Sequence, residues 1–302
     1  MMKSKLSLRN LARCVLLLKF LLLFLFLATG CNLSTSPSSS IEDIPTAIKN
    51  TCRSDYKVDV MVRQVGSTIW IYLPVENIFA PLEKNQKPEK YFERYTVEDN
   101  KSDFIGGILK CDYIIKPLPE KEKLQEFSFN KEAFKKKLHV WMAINRVLMS
   151  SDYKKKNPPQ FYGIILADIK NGFAIRDLFY YQDIKKVFYS YISSTEFQHR
   201  TVEDTLLSLD IIGDKEGVHQ DYKNTTMKDF LSMQIQGRIR LKFQRPEVEK
   251  NADIDKEVQK IIAYVLQIYD FNDFSGVEIN NLVTGKRMVL NKAAILSKTT
   301  EL

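Results

Sequence analysis

Histidines and paired carboxylates are the residues most able to do chemistry in this chain, and they are sparse. His139, His199 and His219 stand far apart, in different predicted elements. No two have the short spacing with which a helix offers paired imidazoles to zinc, and other soft ligands are few. His219 and Asp221 in "HQD" put a base near an acid, but a polar loop produces such triplets by composition alone. Asp253 with Asp255, and Asp270 with Asp273, fit helix caps and turns better than acid–base pairs. There is no G-x-S-x-G elbow, no G-x-x-x-x-G-K-[ST] phosphate loop, and no G-x-G-x-x-G after a strand. No catalytic residue, metal site or cofactor is expected.

The elements that would position any site recur in one order, a helix and then a hairpin. Ile41, Ile44, Ala47, Ile48 and Cys52 have helical spacing, and two β-rich runs follow around Val65-Gly66-Ser67. Phe134, Leu138, Trp141, Met142, Asn145 and Leu148 mark a second helix. "FYGIILADIKNGFAIRDLFYY" follows, with Asn171-Gly172 as a strong hairpin turn. Val258, Ile261, Ile262, Val265, Leu266 and Tyr269 mark a third helix, before a hairpin turning at Thr284-Gly285. The expected fold is α+β, antiparallel hairpins packed against helices, with three αββ units as one way to read the repeat. The regions run 42–120, 121–225 and 226–302.

Other stretches carry narrower expectations. "DFIGGILKCDYIIKPLP" predicts one or two strands with Gly106-Gly107 as a bend or bulge. Asp183 to His199 predicts one helix with Ile184, Val187, Phe188, Tyr191 and Ile192 on its apolar side, and a short helix is expected soon after Thr201. The aromatic density of "FYYQDIKKVFYSY" reads as core plus half-buried tyrosine, or as a ligand groove; its Lys185-Lys186 pair falls on the polar side, where it could face phospholipid headgroups. "MQIQGRIRLKFQ" alternates apolar and polar residues, which predicts an amphipathic strand. Its outer face would carry Arg238, Arg240 and Lys242, either solvated or presented to an anionic partner.

The N-terminus is the most informative segment. Lys3, Lys5, Arg9 and Arg13 precede an apolar run, Val15 to Leu27, broken once by Lys19, and small residues follow. That is the pattern of a secretory signal peptide. The stretch is short of the roughly 20 clean apolar residues a spanning helix needs. "LATGC", Leu27 to Cys31, resembles the lipobox of bacterial lipoproteins. The resemblance covers about the first tenth of the chain, and the mature domain resembles no family we recognise. It implies a signal peptide over 1–30 cut between Gly30 and Cys31, a diacylglycerol on the Cys31 sulfur, and acylation of the new amino group. Residues 31–41, the lipidated cysteine and a Ser-rich run, then form a tether. Two or more acyl chains hold a protein to a bilayer stably. The implied location is the cell membrane or the outer membrane, on the exported side. Asn32 in place of aspartate favours the outer membrane if sorting follows the enteric pattern.

Charge and cysteine use fit that address. The formal +8 includes five cations of the signal segment; without them 40 basic and 37 acidic side chains remain, a net +3. A nucleic-acid footprint needs a concentrated cationic face, so no nucleic-acid partner is expected. Cys52 and Cys111 are an even pair in an oxidising-type compartment, open to bridging or to burial as free thiols. The expected class is a lipid-anchored, non-catalytic binding or assembly component of the envelope, held by membrane lipid at Cys31 and facing an envelope protein partner. A lipid-anchored hydrolase of envelope polymer and a solute-binding lipoprotein are the alternatives, the latter disfavoured by the lack of an alternating βαβ pattern.

Overall fold

Two β-sheets, each made by joining two hairpins side by side, organise the protein in the computed structural model. The structure describes residues 43–82, 87–125, 127–150, 158–244 and 251–297. The expected signal peptide, Cys31 and the expected tether lie outside these residues. The fold is α+β.

The first sheet begins after helix α1 (Ile44–Tyr56), with β1 (Met61–Val65) and β2 (Thr68–Val75) turning at Gly66. Its second hairpin follows helix α2 (Lys131–Ser150), as β7 (Phe161–Asp168) and β8 (Phe173–Tyr180). β2 and β7 meet in parallel, from Thr68↔Phe161 to Val75↔Asp168, and β9 (Val202–Leu207) closes the order β1-β2-β7-β8-β9. The second sheet repeats the device. β4 (Lys90–Ile105) and β5 (Ile108–Leu124) form one long hairpin; β10 (Gly276–Asn281) and β11 (Lys286–Asn291) form the other. β5 and β10 are the parallel pair at its centre. The four hairpins are antiparallel, as expected, and only the junctions between them are parallel. Gly106 and Gly107 make the two-residue tip of the long hairpin, at φ +58° and +81°, which glycine adopts without steric cost.

The chain passes between the lobes twice. After β2 it leaves the first lobe through β3 (Phe79–Pro81), builds the β4–β5 hairpin in the second, and returns through β6 (Phe127–Phe129). β3 and β6 pair with each other as a separate ribbon. Region 42–120 therefore divides between both sheets. The helix-then-hairpin order occurs three times, as α1–β1–β2, α2–β7–β8 and α6–β10–β11, where α6 is Ile254–Ile268. The chain ends its described part in α7 (Lys292–Leu296).

Side-chain period explains the layers. Ile69, Ile71 and Leu73 of β2, with Tyr162, Ile164 and Leu166 of β7, meet Ile48 and Cys52 of α1 and Val140 and Ile144 of α2. Trp70, Tyr72, Phe161 and Ile165 point the other way and meet Phe230. Phe230 belongs to α5 (Met227–Gln244), whose Leu231, Ile235, Ile239 and Phe243 fill the second lobe's core with Leu109, Tyr113 and Val277.

Helix α5 overturns the strand expected for "MQIQGRIRLKFQ". Leu231, Ile235, Ile239 and Phe243 recur every four residues, so a helix gathers them on one side. A reciprocal cap starts it: the Asp229 main-chain N–H donates to Thr226 Oγ1 at 3.2 Å, and the Thr226 N–H donates to the Asp229 carboxylate at 2.9 Å. Because α5 is wedged between lobes, residues all round its first half are buried, and the sequence shows no clean 3.6 period. The helix expected over Asp183 to His199 is two, α3 (Tyr181–Phe188) and α4 (Ser194–Arg200). Ser190 at φ +60° breaks the first, and Ser193 caps the second by accepting from the Glu196 N–H at 3.0 Å. The short helix expected after Thr201 is strand β9, followed by a 3₁₀ turn over Leu209–Ile211.

Candidate docking surface

The residues singled out in the sequence do not converge. Cys52 and Cys111 are both free, which corrects the bridge: Cys52 lies in the core under the first sheet, Cys111 in that of the second. Burial, with Asp55 nearby, pushes the Cys52 thiol up to about 12; burial does the same for Cys111, against a hydrogen bond with Ser102 and with added repulsion from Asp112. Both stay protonated at neutral pH and act as small apolar side chains.

The cationic stripe is not formed either. On a helix, residues two apart point in different directions, so Arg240 leaves the face that Arg238 and Lys242, four apart, share toward α6. Arg238 lies 4.7 Å over the Tyr264 ring, and Lys242 pairs with Glu257 at 3.1 Å. His139 stacks on Tyr56, while His219 lies 3.3 Å from Asp214 and Asp221 pairs with Lys223. Asp253 caps α6 and Asp255 accepts from Tyr113 and Asn281. Among the described residues no three His, Cys, Asp or Glu side chains gather to hold a metal, and no helix is long and apolar enough to cross a membrane.

A buried polar cluster locks the lobes together. In the first lobe Arg200 donates to Asp183 at 3.0 Å and to Glu196 at 2.7 Å. The second lobe completes both acids: the Tyr269 hydroxyl donates to Asp183 at 2.8 Å, and the Tyr264 hydroxyl to Glu196 at 3.0 Å. Gln234 of α5 donates to the Arg200 carbonyl. Asp183 is 1% exposed, so its charge depends on these partners. Burial, then the Asp183 charge, pushes the Tyr269 hydroxyl up, and it stays a donor.

Exposed apolar side chains gather around a cavity at the neck where the chain crosses between lobes. Pairing of Phe79 with Phe129 and of Pro81 with Phe127 places these side chains on one face of the β3–β6 ribbon, because alternate strand residues share a face. Phe79 stacks on Phe129 at 5.3 Å, and their other neighbours are Phe173 and Phe134 of the first lobe. Tyr91 and Leu124, at the base of the long hairpin, face the same hollow of about 810 Å³. These five side chains are 37–58% exposed. The rim is charge-neutral: Lys90 pairs with Glu122 at 2.7 Å and Lys123 with Glu93 at 2.6 Å. The hollow is held in shape by main-chain bonds, Gln125 N–H to the Glu89 carbonyl and Asn130 N–H to that of Ile78. Its chemistry is that of an apolar contact surface with paired charges around it, the layout of a protein–protein interface with a polar rim.

No family model, curated protein or solved structure matches the chain.

Sequence alone does not single out Phe79, Tyr91, Leu124, Phe127 and Phe129. The signal was present as two short aromatic alternations, "FAP" and "FSF", flanking a highly charged hairpin. What joins them is a strand pairing across about fifty residues, which no local pattern reveals.

Proposed function

We propose that this is a lipid-anchored protein of the bacterial cell envelope that works as a non-catalytic binding or assembly component. Lipid on Cys31 holds it to the membrane, and the hollow between the β3–β6 ribbon and the base of the long hairpin receives an envelope protein. The observation that carries the binding half is the cluster of Phe79, Tyr91, Leu124, Phe127 and Phe129, open to solvent around a preformed hollow. Exposed apolar clusters of this kind are retained where another surface covers them. The anchoring half rests on "LATGC" and the basic, apolar segment before it.

Two measurements test the halves separately. Mass spectrometry of the purified chain is expected to show an N-terminal peptide starting at Cys31 and carrying lipid mass; an unprocessed N-terminus refutes the anchor. Detergent co-purification of the chain and of a Phe127→Gln, Phe129→Gln variant is then compared. A protein recovered with the first and depleted with the second supports the hollow as the contact; equal recovery of every partner refutes it. Both changes fall on exposed side chains, so the variant keeps its core.

A further inference from the structure

The turn after α3 presents a second aromatic surface with different chemistry. Phe188, Tyr189 and Tyr191 are 52%, 54% and 79% exposed, in a single tight turn. Phe188 meets Tyr189 edge-on at 5.2 Å, and Tyr191 lies 6.3 Å from Tyr189. The turn is an ordered tip. The N–H groups of Tyr189, Ser190 and Tyr191 donate to the carbonyls of Lys185, Val187 and Lys186 at 2.8–3.1 Å. Its base is pinned by Asp183, buried against Arg200. Two lysines flank the rings: Lys185 lies over the Tyr181 ring, and Lys186 is 3.9 Å from Asp183, whose carboxylate Arg200 and Tyr269 already engage.

We propose that Phe188, Tyr189 and Tyr191 form a bilayer-contact site, with the rings in the boundary between headgroups and acyl chains and Lys185 and Lys186 toward lipid phosphates. Tyrosine and phenylalanine offer an apolar body, tyrosine adds a polar tip, and a nearby lysine can reach the headgroups. The protruding rings suit a yielding lipid surface, and the local excess of cations complements anionic headgroups. The tether puts the occupant, the bilayer, within reach. Cys31 precedes Asp43 by twelve residues, which span at most roughly 40 Å, so a lipidated chain holds its domain at the bilayer. The inference rests on the proposed anchor for that proximity and goes beyond it in fixing which face meets the lipid.

The test uses the full chain reconstituted in vesicles of phosphatidylglycerol and phosphatidylcholine brominated on the acyl chains. Tyr191→Trp and Tyr189→Trp each place a reporter on the tip, and the emission of the parent, from Trp70 and Trp141, is subtracted. The expected result is a loss of roughly half of the added emission or more relative to unbrominated vesicles, smaller when Lys185 and Lys186 are both changed to Gln. No loss at either position overturns the site. Added emission that ignores bromine but shifts with soluble peptidoglycan fragments also overturns it, in favour of a glycan contact. Mass spectrometry of the same sample reads the Cys31 lipid, so a failed anchor and a failed contact site are told apart.

Discussion

Arg200 organises the joint between the lobes through two acids that the other lobe completes. Its guanidinium holds Asp183 and Glu196, leaving their remaining lone pairs to Tyr269 and Tyr264. Removing one partner of a buried ion pair strands the other, which costs about 3–5 kcal/mol. Arg200→Ala is therefore expected to lower the urea midpoint by that equivalent, while Lys223→Ala, at an exposed pair, changes it little. Glu196 also sets a pH dependence. Burial alone would raise Glu196, but hydrogen bonds from Arg200 and Tyr264 and the Arg200 and Arg238 charges outweigh it and hold the carboxyl below its ordinary value. A carboxyl lowered in the fold contributes stability that is full above its unfolded pKa and is lost as pH falls through the folded one. Stability is expected to decline as pH drops below about 4.5, and Glu196→Gln should flatten part of that decline. A Glu196→Gln protein with the parent's full acid slope would remove Glu196 from the account. The joint was not legible in the sequence: apart from Glu196 and Arg200, four residues apart on one helix, its side-chain contacts join residues 17 to 86 apart, and none belongs to a motif.

The parallel junctions and helix α5 are the elements that differ most from a local reading. β7 is buried along its whole length, and Gly163 stands opposite Trp70 across the parallel pair. A Cβ at Gly163 would lie 2.2 Å from the Trp70 ring. Gly163→Ala is expected to destabilise by about 1–3 kcal/mol or more, since indole and strand must both shift; an unchanged melting temperature would contradict this packing. At α5 the reciprocal cap is testable in the same way: Thr226→Ala should cost about 1 kcal/mol. The hairpin turns at Gly66, Asn171-Gly172 and Gly285 were legible, because each is a local demand for positive φ between β-rich runs. Helices α2 and α6 were legible from their one-sided apolar stripes. α5 was not, because two lobes bury it from different sides and mix the periods, although the Thr226–Asp229 cap was there to be read. Nor were the parallel partners legible: apolar residues on both faces of β2 announce cover, not which strand supplies an edge.

At the scale of the molecule, the two crossings of the neck put the β4–β5 hairpin into a sheet completed some 150 residues later. Each lobe is therefore discontinuous in sequence, and the thiols report on them separately. Cys52 and Cys111 should resist alkylation in the native protein and react together in denaturant; early reaction of one alone would show a lobe opening by itself. The neck is also where the apolar hollow forms, beside lobes that the Arg200 cluster joins. The most direct measurement is site-specific photo-crosslinking in intact bacteria expressing the full chain. A benzophenone amino acid replaces Phe127 in the hollow, or Val289, exposed on β11 away from it. If the hollow receives a protein, position 127 gives one discrete protein adduct, lost when Phe79 and Leu124 are changed to Gln, and position 289 gives none of that size. The same adduct from both positions, or none from 127 in processed, membrane-bound protein, would contradict it.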